Sequence, residues 1–346
     1  MVGTFKIITL AASLEEKTID LFTDNYSDSG SVNVDGATLH CWKHGGHGSQ
    51  TYLQVVENSC NPGFVNMGLK LGTKGLMKYI RNFGFGEKTG IDLNGEASGI
   101  LFKEEKMGLV ETATTAFGQG ISVTPIQQIT AVSAAVNGGN LYIPYIVKGM
   151  IDTETDTVLD VTEKTLRRKV ISKETSELVR YSLESVVANG TGRNAYIENY
   201  RVGGKTGTAQ KVENGHYSTD SYILSFIGFM PADDPEIVVY VAVDNAHNVT
   251  QYGGTVSAPI AKNVMKSAID ILEIEPSKEG MPKEYNWLDE KYVQVPDVTG
   301  MSLENAKKVL KGFKVVYSGT GEKIAYQTPE AGMYIKESGN VVLMLN

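Results

Sequence analysis

Three strand-like segments follow one another late in this chain, at residues 201–210, 222–230 and 237–243, and a helical stretch at 258–272 closes them. Val238-Val239-Tyr240-Val241-Ala242-Val243 is a continuous apolar run, the pattern expected of a buried strand. Helical periodicity dominates upstream. Residues 4–22 read as a helix through Phe5, Ile8, Leu14 and Leu21. A second runs over 51–60, with Leu53, Val56 and Cys60 on one face, and Asn61-Pro62-Gly63 is expected to end it. Further helices are expected at 64–82, at 125–136 behind Thr124-Pro125, and from Ser172 to about 187. Residues 23–49, rich in Gly, Ser, Asn and Asp, read as loop, and residues 83–123 as irregular. Residues 142–150 and 157–161 can pair as a hairpin. Strands and helices in this mixture argue an α/β chain.

The chain has 346 residues, enough for one large core and a smaller module. Residues 1–273 form the first domain in this reading, the polar segment 274–294 a linker, and 295–346 a small unit with an extended segment, a helix at 302–311 and two strands. A net charge of −8, with the charges dispersed, argues against nucleic acid as a partner. No apolar run reaches the 18 or more residues of a membrane span, and the start lacks the basic region and cleavage site of a signal peptide. Two cysteines are too few for a disulfide scaffold.

Three short motifs carry the chemistry. Lys205-Thr206-Gly207-Thr208 follows Gly203-Gly204 and precedes an alternating apolar stretch. Ser59-Cys60-Asn61 fits Ser-x-Asn. Gly3-Thr4-Phe5-Lys6 fits Ser-x-x-Lys except at its first position. With the segments Gly46-His47-Gly48, Gly84-Phe85-Gly86-Glu87-Lys88-Thr89-Gly90 and Phe117-Gly118-Gln119-Gly120, they make the chain resemble the class B penicillin-binding proteins. The resemblance covers nearly the whole chain and is nearest the clostridial and bacillar type that includes stage V sporulation protein D. Residues 295–346 resemble a PASTA module.

The resemblance implies a transpeptidase fold, with a central antiparallel sheet flanked by helices. It implies a peptidoglycan D,D-transpeptidase of cell-wall or spore-cortex synthesis, acting on D-Ala-D-Ala stem peptides through an acyl-serine, and trapped by β-lactams. Partner proteins of wall synthesis and a place on the extracytoplasmic face of the membrane come with it. Lys6 would be the base, Ser59 the proton relay, and Asn61 the group orienting Lys6 and the substrate amide. Lys205 would supply positive potential. Thr206, Gly207 and Thr208 would line the substrate, the two threonines binding its terminal carboxylate. The Thr208 N–H and that of the nucleophile would form an oxyanion hole.

The nucleophile position, however, holds Gly3, and no serine in the chain is followed three residues later by lysine. The expectation is an inactive chain that retains the cleft. The pedestal, the anchor and the first transpeptidase residues of the family do not appear, so an N-terminally incomplete chain is expected. A non-catalytic wall-peptide-binding or scaffold homologue is the alternative, and a β-lactamase or β-lactam sensor a third reading. A second triplet, Lys88-Thr89-Gly90, lies in a segment that reads as loop and is set aside.

Cys41, His44 and Cys60, with His47 or Asp35 as a fourth ligand, have the donor types of a structural Zn²⁺ site. Free or buried thiols and a Cys41–Cys60 disulfide remain open beside it. The acyl-transfer chemistry itself requires no cofactor.

Overall fold

The first helix, α1 (Lys6–Glu15), is apolar nearly all round and buried from Lys6 to Leu14, as a helix through the middle of a core must be. It is shorter than the expected 4–22. Lys17 turns left-handed (φ 54°), and the Thr18 N–H bonds back to the Ser13 carbonyl at 2.9 Å. The computed structural model describes residues 3–213, 216–247, 249–277, 279–283, 292–336 and 339–346. The chain divides into two units, Met1–Glu284 and Tyr285–Asn346. Among the described residues no helix is long and apolar enough to cross a membrane.

Residues 23–49 are not a loop but four short strands. β1 (Asn25–Asp28) pairs with β4 (Gly48–Thr51), and between them β2 (Ser31–Val34) pairs with β3 (Ala37–His40). The inner hairpin turns at Asp35-Gly36, both left-handed at φ 48° and 84°, as a tight two-residue turn requires. Then α2 (Tyr52–Glu57) starts at Thr51, whose side chain accepts from the Gln54 N–H. Asn61-Pro62-Gly63 opens α3 (Asn61–Asn82) rather than closing α2, because proline is tolerated in a helix's first turn.

The segment expected to be irregular contains α4 (Leu109–Ala116). α5 (Pro125–Val136) begins behind the Thr124 cap, as expected. β5 (Asn140–Tyr142) pairs with β8 (Leu166–Lys169), and β6 (Gly149–Asp152) with β7 (Thr157–Val161). The expected strand at 142–150 is thus two strands with different partners. α6 (Lys173–Asn189) is capped by Ser172, whose hydroxyl also donates to the Glu15 carboxylate at 2.8 Å.

β9 (Gly203–Glu213), β10 (His216–Met230) and β11 (Ile237–Asp244) form an antiparallel sheet in the order β11-β10-β9. α7 (Gly253–Leu272) covers one face, where Phe226, Met230, Ala258, Ala261 and Met265 pack together. Ile227 and Phe229 point the other way, into the core built from α1, α3, α5 and α6. The apolar run on β11 alternates between these two cores. It lies at a sheet edge, so Ile237–Val241 are half-buried rather than fully buried.

The second unit holds β12 (Tyr292–Gln294), α8 (Leu303–Val309), β13 (Lys314–Ser318), β14 (Ile324–Thr328), β15 (Tyr334–Lys336) and β16 (Asn340–Leu345). Its core is Val295, Val298, Ala306, Leu310, Ile324, Val341 and Leu343. Among the described residues four strands follow α8 where two were expected, and β12 and β15, three residues each, are too short to stand out as a pattern. Of the expected linker, residues 278 and 284–291 lie outside the described residues. Ile274 is buried in the first unit, and the Ser277 N–H reaches the Asn199 carbonyl at 2.8 Å.

Candidate active site

The buried start of α1 brings Lys6 beside the junction of α2 and α3. Its Nζ lies 2.9 Å from the Ser59 carbonyl, 3.1 Å from Ser59 Oγ and 2.6 Å from Asn61 Oδ1. Ser59 sits in a left-handed conformation (φ 52°), which a serine adopts only where its surroundings enforce it. Here two backbone bonds enforce it: the Ser59 N–H donates to Val56 O at 3.1 Å and the Cys60 N–H to Val55 O at 3.0 Å. Asn61 is held from its other end, its Nδ2 donating to the His40 carbonyl at 3.1 Å.

Burial lowers the Lys6 pKa from 10.5 to about 8, against the opposing pull of the Cys60 and Cys41 thiols. An ammonium would donate to all three oxygens. A neutral amine can accept from the Ser59 hydroxyl, so the pair can pass a proton either way.

Lys205, on β9 opposite Ile227, is fully buried, with Nζ 3.3 Å from the Thr206 carbonyl. Burial, then the nearby charge of Lys6, holds its pKa well below the ordinary lysine value. The Thr206 hydroxyl pairs with Thr191 Oγ1 at 3.1 Å, and the Gly253 N–H donates to Thr208 Oγ1 at 3.2 Å. Thr191, Gly253 and the His40 carbonyl therefore position the site, and no sequence motif marks them. Gly3 joins the two halves: its carbonyl accepts from the Lys6 N–H at 3.2 Å, and the place a Cβ would take is filled by the Thr206–Gly207 backbone.

The family model of the penicillin-binding protein transpeptidase domain matches residues 3–266, and that of the PASTA domain matches residues 293–346. Stage V sporulation protein D of Bacillus subtilis (strain 168) is 57% identical over 343 residues, 99% of this chain and 53% of that protein. The peptidoglycan D,D-transpeptidase FtsI homolog of Mesostigma viride is 30% identical over 298 residues, covering 80% of this chain and 50% of that one. Among solved structures, the transpeptidase domain of Burkholderia pseudomallei penicillin-binding protein 3 superposes with a TM-score of 0.71 at 28% identity, over 80% of each chain. Penicillin-binding protein 3 of Mycobacterium tuberculosis, complexed with ampicillin, gives 0.73 at 26% identity, over 82% of this chain and 64% of that one.

The chain belongs to the class B penicillin-binding proteins. It spans about half the length of the curated relatives it matches.

Within this penicillin-binding domain, the second Lys-Thr-Gly is a structural turn. The Glu96 carboxylate accepts from the Thr89 N–H and hydroxyl, both at 2.6 Å, and from the Gly90 N–H at 3.1 Å. Gly3 lies in the left-handed region (φ 95°). A Cβ there would stand 2.5 Å from Gly207 Cα and 2.7 Å from the Thr206 carbonyl, so any side chain at position 3 requires the backbone to move.

Behind Ser59–Asn61 lies a second cluster. One ligand atom each from Asp28, Cys41, His47 and Cys60 falls within 4.8 Å of the others, a group able to hold a metal ion. The expected set is corrected in two places. Asp35 is the exposed tip of the β2–β3 hairpin, and His44 is exposed in the turn after β3; neither belongs to the group. Asp28 takes the place, because β1 pairs with β4 and sets Asp28 opposite Gly48, next to His47. Both cysteines are free.

Burial would raise the Asp28 pKa, but hydrogen bonds from the Gly30 N–H, His47 and the two cysteines prevail and hold it at about 2. The bond between the thiols lowers the pKa of Cys41 and raises that of Cys60.

Gly46 makes this packing possible. It is left-handed (φ 76°), and a Cβ there would strike the Asp28 carbonyl and Gly30 N. Gly46→Ala is expected to cost at least ~2 kcal/mol, read as a lower urea midpoint at unchanged m-value. A midpoint within error of the parent chain would show that the loop has another way to seat His47.

Proposed function

We propose that this chain is the transpeptidase and PASTA part of a peptidoglycan D,D-transpeptidase of the sporulation type. It would act outside the cytoplasmic membrane on stem peptides ending in D-Ala-D-Ala. The observation that carries this is the set of Lys6 bonds to Ser59 and Asn61, with Lys205 buried across from them. Lys6 serves as base, Ser59 relays the proton to the leaving amine, and Asn61 fixes Lys6 and the substrate amide. Lys205 and the Thr206–Thr208 edge of β9 receive the peptide's carboxylate, and the Thr208 N–H stabilises the oxyanion. This chemistry uses side chains and backbone alone, and a bound Zn²⁺ would have only a structural part. With Gly3 where the acyl-accepting hydroxyl belongs, this chain binds the donor peptide without opening it. Gly3 equally supports a non-catalytic, wall-peptide-binding role.

Saturation-transfer NMR tests the cleft without needing turnover. A pentapeptide ending in D-Ala-D-Ala is expected to show contact, its L-Ala-L-Ala isomer none, and Lys205→Met to weaken binding at least ~fivefold through the lost Nζ hydrogen-bond donor. Equal signals from the two isomers would sink the assignment.

A further inference from the structure

A threonine hydroxyl has one proton, and the two threonines of the β9 edge hold theirs differently. Thr206 and Thr208 are two residues apart, so both side chains leave the strand on one side, toward the first residues of α7. At Thr208 the backbone makes the choice. The Gly253 N–H can only donate, so Thr208 Oγ1 accepts it at 3.2 Å and keeps its own proton for a ligand. At Thr206 the partner is another hydroxyl. Thr206 donates to Thr191 Oγ1 at 3.1 Å, and Thr191 Oγ1 donates to the Glu57 carbonyl at 3.2 Å. In that arrangement Thr206 has only lone pairs to offer, and a carboxylate, which also only accepts, gains nothing from it.

We propose that Thr191 is a positioning residue whose O–H turns from the Glu57 carbonyl to Thr206 Oγ1 when a carboxylate enters, freeing the Thr206 proton and making the site selective for a free C-terminal acid. The role depends on β9 being the edge that receives the peptide's carboxylate. The turn costs little, because the Glu57 carbonyl keeps the Thr191 N–H at 3.0 Å. It also strengthens the contact, since a hydroxyl that accepts one hydrogen bond donates the next more strongly. Thr206 is buried, so water is a poor substitute for Thr191. The Thr191 backbone is pinned on both sides: its N–H by Glu57, two residues before Ser59, and its carbonyl by Gly254, where a Cβ would stand 2.7 Å away. Rotation of the O–H is the change left available. A C-terminal amide has no need of it, because its N–H can donate to an accepting Thr206.

The test is an NMR titration of the full chain with a pentapeptide ending in D-Ala-D-Ala and, separately, with its C-terminal amide. Thr191→Val removes the hydroxyl at nearly unchanged volume. It should weaken binding of the acid ~fivefold and leave the amide unchanged. Thr191→Ser should restore the parent's affinity for the acid. Because Thr191 acts through Thr206, Thr191→Val should add nothing to the loss caused by Thr206→Val. Should Thr191→Val fail to fold, Thr191→Ala decides by the same comparison. Equal losses for acid and amide, or losses that add to those of Thr206→Val, would make Thr191 merely structural and overturn the proposal. A parent chain that binds the acid and a Thr191→Val chain that binds it equally well overturn the proposal alone. A parent chain that binds neither ligand brings down the assignment of the β9 edge, and the role of Thr191 with it.

Discussion

Incubated with a fluorescent penicillin, this chain is expected to give no covalent band on a denaturing gel, and Gly3→Ser is expected to give one. Deleting the nucleophile of an acyl-serine enzyme lowers turnover by about 10⁶, which puts acylation beyond any practical incubation. The rest of the apparatus stays assembled around the gap. Lys6 lies one helical turn from position 3, and its bonds to Ser59 and Asn61 do not involve Gly3 side-chain atoms.

Recovery should be incomplete, because position 3 has settled into a conformation suited to glycine. A side chain at φ 95° costs about 1–2 kcal/mol, and the Cβ must also clear Gly207 Cα and the Thr206 carbonyl. At 1.36 kcal/mol per decade, the Gly3→Ser chain should acylate roughly tenfold slower than a serine-bearing relative. Gly3→Ala, with the same Cβ and no hydroxyl, should give no band. A band from the unsubstituted chain would place the nucleophile elsewhere. A folded Gly3→Ser chain that stays unlabelled would mean the backbone cannot bring a hydroxyl to Lys6.

The site was legible in the sequence to the extent that its parts are local. The spacing of Lys6, Ser59-x-Asn61 and Lys205 could be read directly, and the structure brings Lys6 to Ser59 and Asn61. The thiol cluster was only half legible, because its geometry depends on pairing between segments. Cys41, His47 and Cys60 were among the expected ligands, but Asp28 is brought in by the β1–β4 register. Its local signal, the Gly30 N–H donating to Asp28 Oδ1 at 2.8 Å, is that of an ordinary turn. Asp35-Gly36 was a readable hairpin signal that the polar composition of 23–49 obscured. Pro62 was ambiguous in kind: the residue that stops one helix also opens the next. The kink in α3 at Gly72 and the position of β11 at a sheet edge are tertiary outcomes that a single strand or helix pattern does not carry.

In the Gly3→Ser background, acylation is expected to rise with pH, flatten above about 8, and collapse on Lys6→Met. Burial lowers the Lys6 pKa to about 8, so the neutral amine needed as base is scarce below that pH and dominant above it. Two units below the pKa, at about pH 6, the rate should be roughly a hundredfold under its plateau. Lys6→Met should lower the plateau by ~10²–10⁴ and leave no inflection near 8. A stopped-flow series with one penicillin from pH 6 to 9 measures both. A flat profile, or a Lys6→Met chain within tenfold of its parent, would exclude Lys6 as the base. Stability supplies an independent check with a definite sign. The folded pKa lies below the unfolded one, so the folded state binds fewer protons between about 8 and 10.5, and stability must rise with pH across that window. The full shift amounts to about 3 kcal/mol, felt as a cost at pH 7 where buried Lys6 is charged. Lys6→Met removes that cost but leaves Ser59 and Asn61 without their donor, an offset of about 1–3 kcal/mol. The variant should therefore be nearly as stable as its parent at pH 7 and lose this part of the parent's gain at higher pH. That outcome would mark Lys6 as a residue kept for its chemistry, since the fold gains little from it.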